Sequence, residues 1–451
     1  MGLRGWSWDA AAGPAGAGHR PLLAALEVAL PDAAVEEVIE RTGTRERRRR
    51  VLPTHLVVTL VVAMGLWAEE SVRHALAAVV DGWREAREQQ AAALGPPPAG
   101  PGGRPPWRLP STAAIVRARR RAGVRLFREL FGAVAGPIAT PATPGAFLGG
   151  LRLMAVDGTT LDVADTAANA RAFGRPTTHR GPGAFPQLRV VALIETGTHA
   201  LCDVVLRPFR GGEAPAARHL VRSVGPGVLL LWDRGFHGYA LVQRVLARGA
   251  HFLGRTKAKV VLAPTAVLPD GSFLSTLYPS PTARRRRQAG IAVRVVEYAL
   301  DTPAGPGTER YRLVTSLLDP AAFPAQTLAA AYHERWEVET ALAEVKVHQW
   351  AHPRPLRSKR PREVVQEVYG LLLAHLAIRT LMYQAALRDG VDPDRLSFTG
   401  ALRVLRRAIP RAQRTAPKRL PFLPTGSWPS WPPSGSRRAA PGSTRARSGA
   451  R

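Results

Sequence analysis

Cysteine is all but missing: Cys202 stands alone, so no disulfide can close within the chain and no thiolate zinc site can be built. The start of the chain lacks the basic, apolar, small-residue order of a signal peptide, and nothing in it marks export. Long hydrophobic runs are missing too. The most apolar stretch, Val51 to Trp67, is broken by Pro53 and His55 and falls short of the roughly 20 residues a bilayer needs, so it is expected as a buried helix. Acidic residues are scarce, with 34 Asp and Glu against 63 Lys and Arg and a formal charge of +29. A GC-rich genome would explain Arg in place of Lys but not the excess over acids. That excess implies a polyanionic partner, nucleic acid first, because a basic surface gains by releasing the counterions around phosphates. Several motifs are absent. His333-Glu334 has no second His at zincin spacing, and neither a Gly-Lys-Ser/Thr P-loop nor Gly-x-Ser-x-Gly occurs.

What remains is ample for folding: 451 residues, 45% of them hydrophobic, which predicts a globular core with attachments and two or three domains. Residues 20–94 show apolar positions at three- and four-residue intervals, as in Leu22, Leu23, Leu26 and Val35, Val38, Ile39, and read as helices. Arg45 and the run Arg47, Arg48, Arg49, Arg50 lie between those helices, either a DNA contact or a merely exposed turn. Residues 95–110 hold seven prolines and four glycines and are expected as a linker or long loop. Ser111 then caps a helix carrying Arg117, Arg119, Arg120 and Arg121, which either lies along DNA or packs on the first helices through Ile115 and Val116. A helical domain over 20–148 is therefore expected.

From about Gly149 short β-rich runs take over, at 151–156, 161–164, 188–194, 200–206, 228–232 and 252–255, with helical segments at about 213–224 and 238–248. This order predicts an α/β layered domain over 149–410. It contains a further β-rich section at 256–320 and two long helices at about 324–349 and 361–388. The tail, 411–451, has Pro, Ser, Gly, Arg and Lys without an acid and is expected to be disordered.

Two aspartates end buried-strand patterns: Asp157 after Leu-Met-Ala-Val and Asp233 after Val-Leu-Leu-Leu-Trp. At the carboxyl edge of an α/β sheet a carboxylate is unfavourable unless it meets a cation. Gly158 and Gly235 leave open a turn-capping role for either one, but two on separate strands point to a metal site. On an ideal helix, at roughly 100° per residue, Tyr332, Arg335, Glu339 and Lys346 fall within a stripe of about 60° bordering the apolar side. Glu334, Glu337 and Glu344 lie farther round, which makes Glu339 the acid expected to leave solvent and face the two aspartates. An Arg335–Glu339 surface ion pair is the simpler alternative. Three carboxylates without a Cys or His cluster suit magnesium or manganese, and two such ions suit phosphoryl transfer. Arg335 and Lys346 are then placed to hold phosphate oxygens.

Tyr332-x2-Arg335-x3-Glu339-x6-Lys346, joined to Ala-Val-Asp157-Gly-Thr-Thr and Leu-Trp-Asp233-Arg-Gly-Phe in that order, resembles the transposases of insertion element 4 over about residues 20–410. The resemblance implies an RNase H-like core, a mixed sheet with flanking helices, interrupted by a β-rich insertion between the second Asp and the Glu, with an N-terminal all-helical DNA-binding domain. It implies a metal-binding catalytic triad of Asp157, Asp233 and Glu339, with Tyr332, Arg335 and Lys346 contacting DNA. Trp336 matches a position that supports a displaced base by stacking. The 256–320 section contains no Trp, so a wedge that pushes the base out is not evident and a hairpin intermediate stays open. The implied activity is cut-and-paste transposition in the bacterial cytoplasm, at the nucleoid, by a synaptic homodimer acting on double-stranded inverted-repeat ends and target DNA. Two other readings stay open here: a DNA-binding remnant without activity, and a structure-specific nuclease of the same fold.

Overall fold

Along Leu151–Asp162 (β1) successive buried residues belong to different cores: Leu153 and Ala155 to one, Met154 and Val156 to the other. The two-residue period of a strand sends neighbours to opposite faces, so a strand apolar at every position must be covered on both sides. The computed structural model, which describes residues 29–48, 50–80, 109–179, 181–257, 259–302, 305–350 and 353–412, shows how that cover is made. The linker expected at 95–110 falls almost wholly outside these residues, as do 20–28, 81–94 and the tail from 413.

β1 pairs antiparallel with Gln187–Glu195 (β2), which pairs antiparallel with Leu201–Pro208 (β3). On its other side β1 runs parallel to Val228–Trp232 (β4), which runs parallel to His251–Arg255 (β5). The order β3-β2-β1-β4-β5, with one antiparallel arm and a parallel centre, is the RNase H-like core. Both parallel crossovers contain a helix, the usual way to join parallel neighbours: Ala214–Leu220 (α4) precedes β4, and Tyr239–Ala247 (α5) precedes β5. These two helices cover one face, burying Ala216, Leu220, Leu241, Val242 and Val245 against Val156, Leu230 and Trp232.

The β-rich section lies in the same plane. Ala266–Val267 (β6), Phe273–Leu277 (β7), Ile291–Thr302 (β8) and Gly305–Thr315 (β9) form a meander whose last strand pairs antiparallel with β5, extending the sheet in the order β5-β9-β8-β7-β6. The chain thus leaves the core at β5 and returns along the same strand edge.

The opposite face carries helices from both ends of the chain. Asp32–Thr42 (α1), Thr54–Leu66 (α2) and Thr112–Val134 (α3) share one apolar cluster with Pro361–Asp389 (α8) and with the sheet. Every residue of α2 from Val57 to Leu66 is buried, as expected for the apolar run that contains it. α2 meets α8 at glycines: a Cβ on Gly370 would stand 2.3 Å from the Val61 carbonyl oxygen, and one on Gly65 2.9 Å from the Gly370 carbonyl oxygen. α8 is long and apolar enough to cross a membrane, but 78% of its apolar window is buried inside the fold. α3 kinks at Gly123 (φ 70°), and Gln366 of α8 donates to the Gly123 and Arg119 carbonyls at the kink. After α8 the chain makes a short turn at Pro393–Arg395 and ends its described part in Phe398–Ala412 (α9).

Candidate active site

Parallel pairing of β1 and β4 puts Val156 opposite Trp232, so Asp157 and Asp233 occupy the next positions, side by side where that pairing stops; β1, expected to end at Asp157, instead runs on to Asp162, with Asp157 paired to Ala192 of β2. Asp233 opens a tight turn closed by Phe236 N–H on its carbonyl (3.0 Å). Trp232 beneath it stacks on Phe252, ring centroids 5.2 Å apart, and fits only because residue 254 has no side chain, a Cβ there standing 2.1 Å from Trp232 Nε1. Gly158 N–H donates to Asp157 Oδ1 (2.7 Å). Burial pushes the Asp157 carboxyl up to about 6; the Gly158 N–H and Arg335 pull it down, and the negative charges of Glu339 and Glu213 add to the rise. The protein alone therefore leaves this carboxylate short of positive charge.

The third acid comes from the segment expected as one helix over 324–349. In the structure Ala325–His333 (α6) ends in a turn at 334–335, Trp336–Ala343 (α7) follows, and residues Glu344–Gln349 form a wider π-turn. The single ideal stripe is therefore a correction: the π-turn shifts the register of Lys346 relative to Glu339. Glu339 is not withdrawn from solvent either. Its side chain is 45% exposed and is held by Arg335, 6% exposed, in an i,i+4 ion pair of 3.0 Å. The acid that is buried is Glu344. Arg335 nonetheless links the set, since its guanidinium interacts with Glu339 and with Asp233, and Asp157 feels both Arg335 and Glu339. Burial works first against that guanidinium, but Tyr332, Glu339 and Asp233 hold it above its usual pKa.

Tyr332 is a second correction. Expected beside DNA, it is 1% exposed; its hydroxyl donates to the Trp232 carbonyl (3.4 Å) and its ring meets Tyr311 edge-on. Burial, the leading cause, pushes its phenol well above the usual value, so it stays neutral and supports the strand end that bears Asp233. Trp336 is 45% exposed with the Arg335 guanidinium over its ring at 4.9 Å, a surface on which a flat group can stack. Lys346 lies half-buried on the π-turn. The structure thus groups Asp157, Asp233, Glu339 and Arg335.

Among the N-terminal arginines, Arg47, Arg48 and Arg50 are exposed and, with Arg45 and Arg121, line an open pocket of about 370 Å³; the placement of Arg49 is outside the described residues. Arg45 is neutralised by Glu36 and Glu40. Arg117 is exposed. Arg120 pairs with Glu363 (2.6 Å), and Arg121 donates to the Leu52 carbonyl (3.3 Å). Arg119 corrects the expectation of a DNA contact: it is 4% exposed and donates to Ser358 Oγ (3.1 Å) and the Glu363 carbonyl (2.9 Å), locking α3 to α8. The helix therefore both packs inward and shows arginines outward.

Two features near the site have no sequence signal. Glu213, at the start of α4, reaches Gly158, next to Asp157: a Cβ on Gly158 would stand 2.9 Å from its Oε1, and Arg189 of β2 pairs with it. Behind α7, Glu344 binds Arg379 and accepts from His375 Nε2 (3.0 Å), while His199 lies against Glu337 (2.8 Å). Glu213 and Gly158, Glu344 and Arg379, and His199 and Glu337 come from separate elements, and no spacing rule along the chain brings them together.

The family model described as Transposase DDE domain matches residues 148–377, about half of the chain, and that described as Insertion element 4 transposase N-terminal matches residues 21–132. The chain is 28% identical over 392 residues to "Transposase InsG for insertion sequence element IS4" of Escherichia coli (strain K12), covering 86% of this chain and 83% of that one. It is 26% identical over 144 residues, 32% of this chain and 48% of the other, to "Putative transposase InsZ" of the same organism. A cryo-EM structure of the piggyBac transposase synaptic complex with hairpin DNA aligns over 89% of this chain and 84% of its own, with a TM-score of 0.44 and 11% identity. The chain belongs to the DDE transposase family, with the insertion element 4 type of N-terminal region, and is an enzyme of DNA cleavage and transfer.

Proposed function

We propose that this transposase binds the inverted-repeat ends of its own insertion sequence, cleaves there through two divalent metal ions, and joins the freed 3′-hydroxyl ends to target DNA. The observation that carries the reading is the pair Asp157 and Asp233, set side by side on adjacent parallel strands with Glu339 and Arg335 electrostatically coupled to them.

The donor set fits hard cations, being all carboxylate, and Asp157 is a buried acid whose surroundings raise its pKa to about 6, so it calls for positive charge. Asp157, Asp233 and Glu339 would hold magnesium or manganese, whose charge would supply activation of the attacking water or 3′-hydroxyl oxygen and stabilisation of the leaving oxygen of the phosphodiester. The remaining work belongs to the chain. Arg335, ion-paired with Glu339 and within electrostatic reach of Asp233, would take a phosphate oxygen when the strand enters, exchanging its ion pair for a charge-assisted bond. Trp336 offers an open ring face for a base next to the scissile step. Tyr332 and Gly254 keep Trp232, and so Asp233, fixed.

Arg47, Arg48, Arg50 and Arg117 present exposed charge for backbone phosphates, with the helical region 20–148 acting as the DNA-binding domain and 149–410 as the catalytic one. Two ends must be brought together, which a synaptic dimer in the bacterial cytoplasm would do. The test is cleavage of labelled DNA carrying the flanking inverted repeats, in magnesium or manganese, by wild type and Glu339→Gln. Metal-dependent 3′-hydroxyl ends from wild type alone are expected. DNA binding without cleavage by either protein would overturn the catalytic reading and leave a DNA-binding remnant.

A further inference from the structure

At the sheet edge opposite Asp157 and Asp233, the turn between β2 and β3 places His199 with Glu337 of α7 and Asp394 of the 393–395 turn. His199 is 2% exposed, and its Nε2 lies 2.8 Å from Glu337 Oε2 and 3.5 Å from Asp394 Oδ1; one ligand atom from each of the three residues lies within 4.8 Å of the others. Since Asp157 is paired with Ala192, and the turn begins beyond Glu195, the two places are on the order of 10 Å or more apart along the strands.

The geometry points to a second cation site here: a divalent transition ion, of which Zn²⁺ is the simplest, bound by His199 Nε2, Glu337 and Asp394 and separate from the DDE carboxylates. Ligand atoms bonded at about 2.0–2.2 Å around a tetrahedral ion stand roughly 3.4 Å apart. The His199–Asp394 distance already meets that separation, and Glu337 has to withdraw by about half an ångström. One nitrogen with two carboxylate oxygens is a borderline donor set, unlike the all-oxygen DDE site.

A carboxylate stands behind the imidazole. Glu344 Oε1 lies 3.4 Å from His199 Nδ1, but Arg379 Nη2, which can only donate, faces the same nitrogen, so an Nδ1–H aimed at the carboxylate, the second partner that metal-bound histidines commonly have, requires that guanidinium to turn off the ring when an ion takes Nε2. Arg379, which also touches Nδ1, and His375 hold that carboxylate in place. The Glu337 side chain is 25% exposed and supplies an entry path. Such an ion would clamp α7, which carries Glu339, to the sheet and to the 393–395 turn.

The test uses the full chain, stripped with chelator, loaded with one equivalent of Zn²⁺ and dialysed against excess Mg²⁺, with bound metal then measured by atomic emission. One zinc per chain is expected in wild type and in Asp157→Asn. Affinity at least tenfold weaker is expected in His199→Gln and in Asp394→Asn. Wild type without zinc, or both site variants with it, would overturn the proposal. Cobalt needs no variant: with Co²⁺ the intact chain is expected to show a visible absorption band that Zn²⁺ erases and Mg²⁺ leaves, and a flat spectrum would also overturn it. Asp157→Asn separates this site from the catalytic reading, because it should lose cleavage while holding zinc like wild type.

Discussion

At the scale of single residues the site is defined by charge that the fold leaves uncompensated. Asp157→Asn, Asp233→Asn and Glu339→Gln should each lower end cleavage by on the order of 10³-fold or more while leaving DNA binding near wild type, read from cleavage and gel-shift assays on the same substrate. Asp157 also predicts a pH effect. Its carboxyl titrates at about 6 in the fold because burial disfavours the anion, but at the ordinary value of about 4 in the unfolded chain. A raised acid contributes stability that is fully present below about pH 4 and is lost as pH climbs through about 6. Metal-free wild type should therefore lose about 1–3 kcal/mol across that window in denaturant titrations, and Asp157→Asn should flatten the loss. A parallel loss in both proteins would assign the slope elsewhere. Tyr332→Phe tests the correction made for that residue: removing its bond to the Trp232 carbonyl should cost about 0.5–1.5 kcal/mol of stability and leave DNA affinity unchanged. A fall in affinity instead would restore its role as a DNA contact.

At the scale of elements, close approaches decide function. α2 and α8 touch through Gly65 and Gly370, where an added methyl would meet backbone rather than a flexible side chain. Gly370→Ala should therefore destabilise by about 1–3 kcal/mol, seen as a lowered Tm. Gly254→Ala acts at a different place. Its Cβ would collide with Trp232, the residue next to Asp233, so cleavage should fall well beyond any loss of Tm. Retained cleavage would show that Trp232 can move without carrying Asp233 with it. The π-turn at Glu344–Gln349 belongs to this scale too. Ideal helical angles predicted one stripe for Tyr332, Arg335, Glu339 and Lys346. A stop at His333 and a wide turn after Ala343 break it, because Glu344 is drawn inward by Arg379 and His375.

At the scale of the whole molecule, an excess of positive charge makes association with DNA depend steeply on salt. Each phosphate neutralised contributes about 0.9 to the slope of log K against log salt. Replacing Arg47 or Arg48 with Ala should lower that slope by about one and leave Tm unchanged. Arg119→Ala should do the reverse, lowering Tm with the slope intact, because its guanidinium holds Ser358 and the Glu363 carbonyl. A drop in slope for Arg119→Ala would overturn its assignment as an internal strut.

Local order by itself determined the apolar runs that lead into Asp157 and Asp233, the burial of α2, the alternating strands and helices of the core, and the basic character of the surface. Each is a property of a short stretch, set by side-chain period or by composition. Only the tertiary structure decided that the β-rich section extends the same sheet, that Tyr332 and Arg119 turn inward, that Glu213 reaches Gly158, and that His199, Glu337 and Asp394 meet. Those outcomes depend on pairs from about fifty to more than two hundred residues apart or on which of several arginines finds a buried carbonyl. Such choices follow from packing a whole core, not from any spacing along the chain.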